Sequence, residues 1–341
     1  MRYEALKVFG NVRIIAVIIG MFILSIIMAM RIDTIMFEGF NTDVYRYYME
    51  YLEGEYTQEK YDYVIEEYGR MQEHIANSNL YDEQYQNKLI SATEYRELSS
   101  AASIAKGRIK TFEYIVSKTE YYSQCENTPS YFYDIEVEDY IVNMSVNIPL
   151  ILLLILVIAT LFIEDHMANT VYMVRSSRDG KERLLCKRIF LVVIVSVIAS
   201  AIFYIGEFFV KYFYLDLGML DGNIESLMNV QAANYDGTIL GYIIMSIGIR
   251  TLYTVVIAIL ISSIAILTHK YMMTVGISLA VIFLPKVFIN SKWIPTAGLE
   301  GYTLIKGNEY MESSTPLLFM AVYLLITAMM VGVLIKRDSR Y

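Results

Sequence analysis

The side chains that usually carry chemistry are sparse in this 341-residue chain, and they do not gather. The histidines His74, His166 and His269 are scattered along it. His74 shares a helical spacing with Glu67, which would bring two donors toward one metal, but a solvated helical histidine is the plainer reading. A phosphate loop is missing: Gly180-Lys181 is followed by Glu182 and has no upstream glycine pattern. Neither an H-E-x-x-H zinc motif nor a G-x-S-x-G nucleophile elbow occurs. The expectation is a chain that is not an enzyme and has no metal or cofactor of its own. Work on a substrate would then draw on a partner or a gradient.

The richest stretch runs from Ile163 to Arg188. It opens on Glu164 and Asp165, and continues through Thr170 into an amphipathic piece holding Val171, Met173 and Val174. A turn at Ser176–Gly180 follows, then a basic run that includes Arg183, Lys187 and Arg188. This reads as a short helix on a membrane face, tethered at both ends to spanning helices, on which a docking protein could lever both. A basic inner loop is also what membrane topology alone demands. That explains the arginines, but neither the acidic opening nor the amphipathic turn.

A few polar residues interrupt apolar stretches. Arg250 and Lys286 would each cost about 2.5–3.5 kcal/mol at a bilayer centre. Lys286 follows Pro285 near a span end and can snorkel. Arg250 reads either as a turn into a span or as part of a conduit. Pro149 is expected to kink its helix. Glu207 either pairs with a base or faces water. Arg250, Pro149 and Glu207 are the candidate pathway residues.

The elements that position these residues follow from composition. The chain is 56% hydrophobic and 19% charged, with a mean hydropathy of +0.42, against about 45–50% and about 25% for soluble domains. A charge of −8 and a pI near 5.1 exclude a nucleic-acid partner, which needs a basic face. Six apolar runs approach the roughly 17–25 residues that cross a bilayer as helix. They are Ile14–Met30, Ile141–Ile163, Ile189–Gly206, a span within Thr238–Thr268, Tyr271–Ile289 and Leu317–Ile335. The fourth run is too long for one crossing at about 1.5 Å per residue. Divided at Arg250, it would span over Thr251–Thr268, with 237–249 as a short outer or re-entrant approach.

With six spans, Arg2, Lys7, Arg13, the loop at 175–188, Lys270 and the 336–340 cluster fall on one side, while the short loops opposite are acidic. The positive-inside rule then puts both termini in the cytoplasm of a multi-pass plasma-membrane protein, with residues 31–139 outside. The fold class expected is all-α, with six transmembrane helices and a helical extracellular domain between the first two. The units are 1–30, 31–139, and the bundle 140–341 with its loop 164–188. Cys125 and Cys186 end on opposite sides and cannot pair.

Residues 31–139 hold 22 acids against 10 bases and more than half the tyrosines. Helical spacing links Tyr61, Val64, Ile65, Tyr68, Met71 and Ile75, and again Leu98, Ala102, Ala105, Ile109, Phe112 and Val116. Ser91 and Glu94 form a capping box at the start of the second run. An antiparallel hairpin or small bundle is expected. The tyrosines either pack its thin core or form a recognition surface for a cationic ligand.

The plan and the 164–188 loop resemble the permease subunits of ABC-2-type transporters. In that family a Glu ends the second span, a Gly-Thr-x-x-x-Leu-x-Ser-x-Pro-x-Ser-Arg type segment follows, and a Lys opens the third. Glu164, Thr170, Ser176, Ser177, Arg183 and Lys187 match this pattern, while Asn169 replaces the glycine and the proline is missing. The resemblance implies an exporter subunit without its own nucleotide-binding domain. A separate ATPase subunit would bind the ATP and couple through Glu164, Asp165, Thr170, Val171, Met173, Val174, Ser176, Arg183 and Lys187. The other partners implied are a second copy or a sister permease, and the lipid bilayer. The alternative from another class is a polytopic membrane sensor whose external domain binds a ligand. A gradient-driven carrier would want internal symmetry or intramembrane carboxylates, and neither is visible.

Overall fold

The computed structural model describes residues 10–30, 37–125, 127–167, 180–215, 217, 219–233, 235, 237–288, 299, 325 and 332. Helix dominates these residues. The first element, α1 (Val12–Ala29), is apolar from end to end. The next unit, called external after the side of the membrane it is expected to face, is made of α2 (Thr42–Tyr51), β1 (Gly54–Glu55), α3 (Gln58–Ala76), α4 (Ser78–Gln86), α5 (Ala92–Tyr122) and β2 (Ser130–Tyr131). Next come α6 (Ile135–Val142), α7 (Ile148–Met167) and α8 (Gly180–Leu215). Two 3₁₀ turns, Ile224–Ser226 and Met228–Ala233, lead to α9 (Ile239–Thr268) and α10 (Tyr271–Phe288).

The external unit is built on an α3–α5 hairpin. Tyr68 stacks on Phe112, and Lys106 Nζ donates to Ser78 Oγ one helix later, so the two helices run antiparallel. Most of both expected stripes points inward, with Val64, Met71, Ala102, Ala105 and Phe112 buried, while Ile65 is exposed. Ser91 accepts from the Glu94 amide at 3.2 Å, satisfying one orphan donor of the helix start. The two-residue ribbon pairs Gly54 with Tyr131 and clips the end of the unit to its beginning. Gly54 has φ +104°, a conformation an L side chain resists. Tyr45, Tyr48, Tyr122 and Tyr131 fill the thin core, while Tyr47 and Tyr51 are exposed.

The second body is a bundle of α1, α7, α8, α9 and α10 around one apolar core. Two stretches, Leu184–Tyr214 and Ile239–Thr268, are long and apolar enough to cross a membrane, and Ile14–Ala29, Ile148–Ile163 and Tyr271–Leu284 are shorter apolar helices. A third cluster joins the two bodies. There Val137, Tyr140 and Ile141 of α6 pack on Leu227, Val230, Ile239 and Tyr242.

Three expectations change. The fourth apolar run is one continuous helix, not two pieces divided at Arg250, because its arginine finds every partner it needs inside the bundle. The second run breaks at 143–147, so its helix begins at Ile148 rather than Ile141. Pro149 therefore sits in the first turn, where its missing N–H breaks no intrahelical bond, and it does not kink the helix interior. Thr170, Val171, Met173, Val174 and Ser176, the side chains of Glu164, Asp165, Arg183 and Lys286, and nearly all of the sixth run lie outside the described residues.

Candidate functional site

Arg250 is the largest fully buried side chain among the described residues, and α9 carries it at mid-length. Its guanidinium donates from Nη2 to the Ser145 carbonyl at 2.8 Å and from Nε to the Leu299 carbonyl at 3.2 Å. Nη2 also meets Glu207 Oε2 at 3.5 Å, and the cation lies 4.1 Å from the centre of the Tyr204 ring. Helical spacing builds this contact in two layers. Tyr204 and Glu207 are one turn apart on α8, as are Arg250 and Thr254 on α9, so Tyr204 Oη also reaches Thr254 Oγ1 at 3.0 Å. A planar fork with five donors suits such divided partners.

The pair is asymmetric. The Arg250 side chain is 1% exposed and that of Glu207 is 13% exposed. Glu207 opens onto a cavity of about 180 Å³, lined also by Ser25 of α1, Asp139 of α6, Asn143, Asn147, Pro149 and Lys211. Asn147 organises its wall. Its amide donates to Ser25 Oγ at 2.7 Å, and its carbonyl accepts from the Leu150 N–H at 3.1 Å, capping α7. Asn143 Nδ2 donates to Asp139 Oδ1 at 2.7 Å. The cavity's described lining offers amides, a hydroxyl, the carboxylates of Asp139 and Glu207 and the Lys211 ammonium, groups that can bind a polar ligand.

A second polar cluster lies where the external unit meets the bundle. Lys118 and Asp134 pair at 2.5 Å, and their side chains are 0% and 1% exposed. Tyr45 completes the triad, accepting from Lys118 at 3.0 Å and donating to Asp134 at 2.6 Å. Glu138, one turn beyond Asp134, accepts from the Asn229 backbone N–H at 3.2 Å and from Asn229 Nδ2 at 2.7 Å. Tyr122 Oη donates to the Ser226 carbonyl at 2.7 Å, and Asn127 reaches Glu225 with both backbone and side-chain nitrogens. The loop before α9 is thus held to the external unit by directed bonds as well as apolar contact.

Burial, with the nearby Asp134 charge adding to it, pushes the Glu138 carboxyl up to about 7; Lys118 and the Asn229 bonds oppose this. Burial also raises the phenols of Tyr45 and Tyr114. Because the folded form holds the Glu138 proton more tightly than the unfolded chain, its contribution is full below the ordinary carboxyl value near 4.5. That contribution is lost as pH rises toward about 7. Thermal unfolding followed across that window should show the external unit weakening with rising pH, and Glu138→Gln should flatten the slope.

Of the residues singled out in the sequence, Arg250, Glu207 and Pro149 come together, with Arg250 one layer behind the cavity wall. Lys187 is exposed near the start of α8; Glu164 and Asp165 fall in α7 and Arg183 in α8 with their side chains outside the description, and Thr170, Val171, Met173, Val174 and Ser176 lie outside the described residues. His74 contacts the Tyr81 hydroxyl at 3.4 Å. Among the described residues no three metal-ligating side chains converge. Sequence reasoning missed Ser25, Asn147 and the Lys118–Asp134 pair. The signal available for the cavity was Asn143 and Asn147 interrupting an apolar run just before Pro149. Comparison with protein-family models, with characterised proteins and with solved structures finds no match.

Proposed function

We propose that the chain is the transmembrane subunit of an ABC-2-type exporter. It would move an amphiphilic or peptide substrate with ATP hydrolysed by a separate subunit, as a homodimer or beside a sister permease in the plasma membrane. The observation that carries this reading is the pair α7 and α8. These two packed apolar helices flank the acidic-amphipathic-basic segment at one end and line a polar cavity at the other. A push on the segment would be felt at the cavity through two rigid rods. The contact between residues 127–138 and the loop at 224–229 supports the six-span threading, because both must then lie on one side of the membrane.

The test is co-purification with an ATPase subunit. Charged replacements at Val171, Met173 and Val174 should abolish its binding and its stimulation, with the permease still monodisperse. Unchanged stimulation would reject the coupling assignment. The sensor reading is favoured by one specific observation, the directed bonds between the external unit and the loop leading into α9. It expects that deleting 41–130 abolishes function and that no ATPase associates.

A further inference from the structure

Beside the polar cavity, α1, α7 and α8 enclose a second space of about 480 Å³, walled by Ile18, Phe22, Leu154, Val157, Ala199 and Ile202 among others, all apolar. The two spaces follow the same three helices. On α1 the lining passes from Ile18, Ile19 and Phe22 to Ser25, Met28 and Ala29, which is one helical face. On α8 it passes from Leu191 through Phe203 to Glu207 and Lys211. Phe22 and Phe203 meet edge to face at 5.4 Å near the junction. A Cβ on Gly206 would lie 3.1 Å from the Phe22 ring, so the glycine is what lets α1 approach α8 there.

From Ile18 to Ala29 the helix rises about 16 Å. A hydrocarbon core of about 30 Å has leaflets of about half that depth. Taken end to end, the two spaces make a crease about one leaflet long on α1 and α7 and about 30 Å long on α8, apolar from Ile18 to Phe22 and polar from Ser25 to Ala29, at the end where α6 begins. At that end Asp139 and Glu207 present acceptors and Lys211 a cation. A primary ammonium satisfies carboxylates by donating N–H bonds, and a phosphate meets a lysine as a point charge.

We propose that this crease binds a phospholipid whose head group carries a primary ammonium, with one acyl chain against α1, α7 and α8 and the head at Asp139, Glu207 and Lys211. The assignment goes beyond the exporter reading and does not depend on it, since binding needs no ATPase. Failure of motor docking would leave it intact, and its failure would leave the motor reading intact.

The full chain, reconstituted in phosphatidylcholine vesicles doped with equal amounts of phosphatidylethanolamine and phosphatidylglycerol, would be extracted and its retained lipid identified by native mass spectrometry. A preference for phosphatidylethanolamine of roughly tenfold is expected, the value of one charge-assisted hydrogen bond. Ala199→Trp, which fills the apolar space, should remove the retained lipid, and D139N should reduce the head-group preference. Because misfolding of either variant would also remove lipid, a phosphatidylethanolamine with a photoactivatable acyl chain provides a measurement on the natural sequence. It should label peptides from 12–29, 148–167 and 180–215. Equal retention of the three lipids, labelling confined to other segments, or binding of free phosphoethanolamine with no retained lipid would each overturn the proposal.

Discussion

Lys118→Ala should destabilise the external unit by about 3–5 kcal/mol, enough to unfold many domains outright. The loss is large because of what remains afterwards. Asp134 is as buried as Lys118, and among the described residues it would keep the Tyr45 hydroxyl as its one side-chain donor. An ionised carboxylate deprived of its cation inside a protein has no cheap way out. It must protonate, draw in water or open the fold. Glu138 is one turn away and already carries a raised affinity for its proton, so loss of the Lys118 charge should push it higher. The pH slope set by Glu138 should therefore shift upward in this variant. Asp134→Ala should be comparably damaging, leaving the ammonium among the rings of Tyr45, Tyr122 and Phe132. The double replacement Lys118→Met with Asp134→Leu separates the cost of an orphan from the worth of the pair. It should recover most of the loss, because apolar side chains of similar volume often replace a buried pair without penalty. Thermal unfolding of the full chain in detergent, followed by tyrosine fluorescence, would check the series. A double variant as unstable as either single one would mean that the triad fixes the local geometry and is not merely tolerated there.

That triad also marks the limit of what the sequence discloses. The hairpin was legible because its signal is local. Stripes at helical spacing place Val64 and Met71 opposite Ala105 and Phe112, and Ser91 with Glu94 marks the start of the second helix within four residues. Nothing local couples Tyr45 to Asp134 across 89 residues, and Lys118 sits in the helix pattern like any solvated lysine. Only the fold reveals that its face is interior. The bundle repeats the lesson. Apolar runs announce helices, yet the division of the fourth run at Arg250 follows from a length limit for one crossing, with the arginine taken as the break. The charge is in fact partnered by carbonyls of Ser145 and Leu299, 105 and 49 residues away, which no spacing rule can supply. Pro149 lines the cavity but kinks nothing, because the helix begins one residue before it and the proline falls in the first turn.

Replacing Arg250 by alanine is expected to be the most damaging single change in the bundle, at about 3–5 kcal/mol, and the order of its neighbours tests why. Three acceptors lose their donor together: the Ser145 carbonyl, which lies in the break between α6 and α7, the Leu299 carbonyl and Glu207. Arg250→Lys keeps the charge but reaches only part of this set, because an ammonium lacks the planar fork and stacks less well on the Tyr204 ring. It should fall between alanine and the natural residue. Glu207→Gln should cost least. Its contact with the guanidinium is the longest of the three at 3.5 Å, and its carboxylate already opens onto the cavity, where water can replace the bond. Melting of the detergent-solubilised protein, read by size-exclusion chromatography after heating, should thus rank Arg250→Ala below Arg250→Lys and that below Glu207→Gln. The combination Arg250→Ala with Glu207→Gln should stand above Arg250→Ala alone, since it removes the orphaned carboxylate while leaving the two carbonyls unmet. If Glu207→Gln proved as harmful as Arg250→Ala, the ion pair would dominate. The arginine would then be held by charge, not by the backbone carbonyls that fix α9 against the start of α7.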